Sequence, residues 1–368
     1  MVDWQRIWND DKKISCFSPL RATLFFLSLF YRLIVNLRNW LYNKQLISSV
    51  RLPCPVISVG NITVGGTGKT PCVIMLSQML QAAGYRPAVI SRGYGGKSTQ
   101  KINIVSDGRK ILLDSETAGD EPLLIAQLLP GVPVITGAKR TRTGNMAIKR
   151  FGADVIVCDD AFQHRKISRD IDLVLLDSAK PLGNGHLLPA GELREPLKEL
   201  KRTDCLIMTR AHGDVKMSEE INQIAQKMNI PIFYSNHYPQ DIARGDGSFT
   251  VGLEVLTGKS VCAFCGIACP DSFEEMLRKA GTQILSFNAF PDHYRYGLYD
   301  LEELNNQYTK LRADYLMTTH KDAVRLHNYP EFLKAVWILR IKMKMRPSSM
   351  EESFEKFILR RLKTGAGQ

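Results

Sequence analysis

Residues 59–71 read Val-Gly-Asn-Ile-Thr-Val-Gly-Gly-Thr-Gly-Lys-Thr-Pro, and that spacing can hold phosphate. Gly65, Gly66 and Gly68 let backbone N–H groups converge on phosphate oxygens, with Thr63, Val64 and Thr67 filling the rest of the loop. Lys69 adds a point charge for the β- and γ-phosphates, and Thr70 offers its hydroxyl to Mg²⁺. The common pattern has a glycine six positions before the lysine, where this chain has Thr63. Two adjacent carboxylates, Asp159 and Asp160, end an apolar run and suit a Mg²⁺ beside such a loop. Asp120 and Glu121 start a helix, where the sequence alone favours cap and dipole partners over the alternative, a base for an acceptor hydroxyl. His293 lies in a loop after a strand, a place open to a surface histidine or one facing a cleft.

These groups need a frame that brings strand ends together. The run 55–59 before the loop is strand-like, and 73–80 after it is helical. Further buried-strand runs follow at 86–91, 132–136, 154–160, 171–177, 205–209 and 230–234, with crossover helices at 123–129 and 218–228. Near-continuous Val/Ile/Leu runs mark strands covered on both faces. The expectation is a doubly wound, mainly parallel α/β sheet over 46–240, with ligands at the carboxyl ends of its strands. A polar, glycine-rich stretch at 241–258 reads as a linker. A second, smaller α/β unit is expected over 259–335, then a returning strand and a closing helix over 336–368.

The chain has 368 residues, a formal net charge of +12 and eight cysteines. The basic balance favours anionic partners, but no nucleic-acid module is present, so phosphorylated substrates or an acidic membrane surface are expected instead. The cysteines sit mostly in apolar runs, as reduced buried thiols do, and Cys262, Cys265 and Cys269 lack an obvious fourth ligand for a metal. Residues 20–42 form the most hydrophobic segment. At helical spacing Arg21, Ser28, Arg32, Asn36 and Asn39 make one narrow polar stripe, and apolar side chains cover the rest. Such a helix over 1–45 suits a membrane interface, the alternative being a core helix. The mixed-charge run Asp10-Asp11-Lys12-Lys13 argues against a signal peptide. A monomer is expected.

Taken in order, these blocks resemble the tetraacyldisaccharide 4′-kinase (lipid A 4′-kinase) family. The resemblance rests on the loop at 60–71 with its Thr63 variant, on Ser91-Arg92-Gly93-Tyr94-Gly95-Gly96, on Gly119-Asp120-Glu121-Pro122 and on Asp159-Asp160-Ala161-Phe162-Gln163-His164. It continues through Leu187-Leu188-Pro189-Ala190-Gly191, Leu193-Arg194-Glu195-Pro196, Phe290-Pro291-Asp292-His293-Tyr294 and Lys321-Asp322-Ala323-Val324. Ala161 stands where the family usually has glycine, and His320 where it commonly has an acid.

The resemblance implies ATP- and Mg²⁺-dependent transfer to the 4′-hydroxyl of a lipid-linked disaccharide 1-phosphate, at the cytoplasmic face of the inner membrane. It implies that Lys69 and Thr70 serve the phosphates and metal, and that Asp159 and Asp160 serve the metal region. Asp120 paired with His293 would activate the hydroxyl. Arg92, Tyr94, Glu121, Arg140, Gln163, His164, Arg194 and Glu195 would line the nucleotide and acceptor cleft. A guanine-nucleotide enzyme is the rival reading, but the strand that would carry Asn-Lys-x-Asp ends Met208-Thr209-Arg210-Ala211-His212.

Overall fold

The structure is a computed structural model that describes Trp8, residues 19–213, 218–347 and 352–365. The run Asp10–Lys13, Cys16 and residues 348–351 of the expected closing stretch lie outside the described residues. The order begins α1 (Pro19–Asn43), β1 (Val56–Asn61), α2 (Lys69–Ala82), β2 (Pro87–Ser91), β3 (Asn103–Asp107), α3 (Ser115–Ala118), α4 (Asp120–Leu128) and β4 (Pro133–Thr136). It continues α5 (Arg140–Phe151), β5 (Val155–Asp159), β6 (Ile171–Asp177), β7 (Cys205–Thr209), α6 (Glu219–Met228), β8 (Ile232–Arg244) and β9 (Thr250–Val251). The last elements are β10 (Ser260–Cys265), α7 (Pro270–Lys279), β11 (Gln283–Ala289), α8 (Leu298–Leu311), β12 (Tyr315–Thr319), α9 (His320–Arg325), α10 (Pro330–Ala335), β13 (Val336–Met345) and α11 (Phe354–Gly365).

The strands lie in the order β11-β10-β12-β13-β8-β7-β6-β1-β5-β2-β4-β3, with β9 beside β8. β1 sits between β5 and β6, parallel to both, and all six of its residues are buried. Its apolar face joins Leu76 and Leu80 of α2, Ile125 of α4 and Phe357 and Ile358 of α11 in the main core. Removing a side chain such as Leu76 from a core of this kind costs about 2–5 kcal/mol.

The two halves of the sheet share a seam. β8 is parallel to β7 but runs on to Arg244, antiparallel to β13 along its whole length. The strand expected at 230–234 is therefore thirteen residues long. The stretch 241–258, expected as a linker, holds the end of β8, β9 and a 3₁₀ turn, Leu253–Leu256. β3 was not anticipated; it is an antiparallel edge strand on β4. Cys262 and Cys265 lie buried in β10, and Cys269 precedes α7.

α1 is turned against the usual rule. Its buried residues are Leu24, Ser28, Val35 and Asn39, so polar side chains share the face on the protein. Ser28 Oγ donates to Leu187 O (3.0 Å), Tyr31 OH donates to Arg194 O (2.9 Å), and Arg38 pairs with Glu195. Outside lie Phe26, Phe30 and Leu33, 71%, 64% and 63% exposed, together with Ile34, Leu37 and Trp40. The helix is long and apolar enough to cross a bilayer by length and composition.

Candidate active site

A cleft of about 1050 Å³ opens where the carboxyl ends of β1 and β5 meet the second half of the sheet. Gly65 to Thr70, Arg92, Tyr94, Glu121, Arg140, Asp159, Asp160, Gln163, His164, Arg194 and His293 all line it. Tyr31 and Arg38 of α1 reach its wall as well.

Gly68 caps α2 with φ 83°, a left-handed turn that suits glycine, and Lys69 and Thr70 open the helix. Asn61 Nδ2 donates to Thr67 Oγ1 (3.0 Å), which fixes the loop against the end of β1. Thr63 and Val64 stand outside the cleft: Thr63 bridges Leu193, and the Val64 N–H donates to Glu192 O (2.8 Å). Arg210, just past β7, pairs with Asp177 and donates to Gly66 O (3.0 Å), so it braces the loop from the side.

Val59 of β1 is in register with Asp159 of β5, which puts the aspartates at the mouth of the loop. Asp159 is buried; Ser91 Oγ donates to its Oδ2 (3.3 Å), and its Oδ1 has no hydrogen-bond partner. Burial, with Glu121 and Asp160 nearby, pushes its carboxyl up to about 7. Asp160 is also drawn up by burial, but Lys69 (3.8 Å) and Arg194 outweigh this and hold it below the usual range. Arg194 Nη1 donates to both Asp160 oxygens at 3.0 Å. Buried Arg140 donates to Gly137 O (3.3 Å) and Asp159 O (3.5 Å), and Gln163 Nε2 donates to Asn61 O (2.8 Å). Burial, then Arg140, Arg169 and Arg92, pull His164 down to about 4, so it is neutral near pH 7.

The site fits a Mg²⁺–nucleotide. An unpartnered buried carboxylate oxygen, a lysine held over an acid and a glycine-capped helix start are the donor set that phosphate and a hard cation require.

The opposite wall is built from both halves. Gly119 has φ 92°, and a Cβ there would meet Tyr94 O at 2.5 Å, so only glycine lets Asp120 start α4 against the 92–96 loop. His293 Nδ1 lies 3.4 Å from Asp120 Oδ2, and its ring meets Tyr94 edge-on. Asp160 (φ 47°) and His293 (φ 61°) both have left-handed backbone, a strain that collects at functional positions. Burial acts to raise Asp120, but hydrogen bonds from His293 and Arg325 dominate and bring it down to about 2.

Glu195, expected in the cleft, is fully buried between Arg38 and Arg202, where it anchors α1. The sequence reading missed Arg325, and it assigned Lys321 no role. Lys321 Nζ lies 3.4 Å from Glu121, 3.3 Å from Asp292 and 3.4 Å from His293 Nε2. A signal was present: a lysine in the first turn of a helix opposes the helix dipole and calls for acidic partners.

Known proteins share the sequence and fold of this chain. A sequence model of the family described as tetraacyldisaccharide-1-P 4′-kinase matches residues 20–363. A tetraacyldisaccharide 4′-kinase of Syntrophus aciditrophicus is 45% identical over 370 residues, covering 98% of each chain. One from Desulfatibacillum aliphaticivorans is 38% identical over 352 residues, covering 94% of this chain and 93% of its own. The crystal structure of LpxK from Aquifex aeolicus in complex with ATP has 35% identity and a TM-score of 0.76, covering 93% of this chain and 99% of that one. The chain therefore belongs to the tetraacyldisaccharide-1-P 4′-kinase family, and it is an ATP-using phosphotransferase of lipid A biosynthesis.

Proposed function

We propose that the two walls of the cleft divide the transfer of a γ-phosphoryl group to the 4′-hydroxyl of tetraacyldisaccharide 1-phosphate. Gly65 to Thr70 hold the phosphates, and Lys69 leaves Asp160 to meet the β/γ oxygens. Thr70, Asp159 and Asp160 would hold Mg²⁺, which when bound neutralises charge on the transferring group. Arg92, Arg140 and Arg194 add positive charge along the path, and Tyr94, Glu121, Gln163 and His164 shape the acceptor side. Asp120 takes the acceptor proton with His293 as its partner.

One observation carries this reading: the Asp120 carboxylate, just behind the cleft lining, lies 3.4 Å from the imidazole of His293, which lines the cleft together with Glu121 and Lys69 and comes from far away in sequence. A base with a value near 2 suits a loose transition state, in which the hydroxyl proton leaves late. The unit 46–240 and the unit 259–335 act as jaws, so closure completes the site. Radiolabelled γ-phosphate transfer tests the assignment. Asp120→Ala should lose about 10²–10⁴-fold in turnover while ATP binding persists; transfer at the wild-type rate would refute it.

α1 would bring the enzyme to the cytoplasmic face of the inner membrane as a monomer, its apolar side in the lipid boundary and its polar side on the cleft wall. Dispersed basic charge assists at an anionic surface. Replacing Phe26, Phe30, Leu33 and Leu37 together by Gln leaves the inward face intact. The variant should stay in the supernatant when spun with anionic phospholipid vesicles, and co-sedimentation equal to wild type would sink the anchor.

A further inference from the structure

Arg325 is the side chain through which the second half of the sheet grips Asp120. It ends α9, whose Val324 packs with Leu123 and Leu124 of α4 and covers the junction with apolar groups. Its side chain is only 4% exposed. Nη1 donates to Gly266 O (2.7 Å) and to Asp322 Oδ1 (3.0 Å), and Nε donates to Asp120 Oδ2 (2.7 Å). Asp322 is itself immobile. It is fully buried and accepts from Gly266 N–H (2.9 Å), Tyr296 OH (3.0 Å) and Thr319 Oγ1 (2.6 Å).

The charge on Arg325 is thus balanced within its own half by Asp322. The bond to Asp120 is an addition, aimed by a planar guanidinium whose Nη1 is already fixed and whose Nη2 lies 3.4 Å from His293 Nδ1. The contacts of Asp120 to Arg325 and His293 both fall on Oδ2, and Oδ1 is the oxygen they do not occupy.

We propose that Arg325 is a positioning residue: it holds Asp120 ionised and oriented, with Oδ2 toward His293 and Oδ1 toward the acceptor. It does so only when the two halves are docked. The proposal rests on Asp120 as the group that receives the acceptor proton. A lysine at this position would carry the charge but not the two-edged grip.

A double-mutant cycle on the full-length chain tests it. kcat and KM are measured with ATP and tetraacyldisaccharide 1-phosphate for Arg325→Met, Arg325→Lys, Asp120→Asn and the pair, with a melting curve for each. Arg325→Met is expected to lower kcat about 100-fold with the KM for ATP within about twofold, and Arg325→Lys to lower it about tenfold. In the Asp120→Asn background both changes should be silent. If Arg325→Met leaves kcat within about threefold of wild type, or if the losses multiply in the double variant, Arg325 does not act through Asp120. Should Arg325→Met fail to fold, the same cycle run with Arg325→Lys decides by the same criterion. If Asp120→Asn alone turns over at the wild-type rate, the base assignment itself falls, a result distinct from multiplying losses.

Discussion

Two aspartates flank one cleft, and their surroundings drive them in opposite directions. Asp159, on the phosphate side, is buried with Glu121 and Asp160 for company and is held up at about 7. Asp120, on the acceptor side, also meets burial, but His293 and Arg325 overcome it and hold it at about 2. The first carboxylate lacks a positive partner close enough to complete it; the second has one supplied by the protein. Under the proposed roles, the site for a visiting cation leaves charge unbalanced, whereas the proposed base is balanced in advance.

The largest expected effect that separates the two walls is at Lys69. Lys69→Ala should lower kcat about 10³-fold while the KM for the lipid acceptor stays within about twofold, measured by single-turnover transfer. A comparable rise in acceptor KM would break the division into walls.

The smaller effect is on stability, and its sign differs between the walls. Below pH of about 4 Asp159 is protonated whether folded or not. Between about 4 and 7 the unfolded chain ionises it and the folded chain does not, so stability falls as pH rises through that window. Asp120 does the reverse: its contribution is present above about pH 4 and is lost as pH falls toward 2. Without nucleotide or metal, Asp159→Asn should therefore melt several degrees above wild type at pH 7.5, with the gap closing by pH 4. Asp120→Asn should melt below wild type at pH 7.5. Parallel shifts in the two variants would erase the contrast.

The phosphate wall was legible in the sequence because it is local. The glycine loop, Lys69 and Thr70 are contiguous, and the apolar runs of β1 and β5 announce buried parallel strands. The acceptor wall was legible only in pieces. Arg325 and Asp120 are 205 positions apart, and nothing in the spacing of either points to the other. β8 outran its expected end because residues 235–241 carry polar side chains and a proline; pairing with β13, not hydrophobic pattern, extends it. β3 is short and polar, as an edge strand can be. In α1 the polar stripe was plain, but the inward direction of Ser28 and Asn39, with Arg32 left exposed, depends on Leu187, Arg194 and Glu195, all distant in sequence.

The seam between β8 and β13 has a consequence for how the two walls meet. Nine register pairs, from Trp337 opposite Arg244 to Met345 opposite Ser235, tie the halves through backbone hydrogen bonds. A flexible tether of similar length would present one wall to the other at a millimolar effective concentration, diluted by every arrangement the tether could explore. A paired ribbon removes most of those arrangements beforehand. The closure left for each turnover is then a short, unimolecular motion, and most of the entropy of bringing the walls together is spent once, when the chain folds.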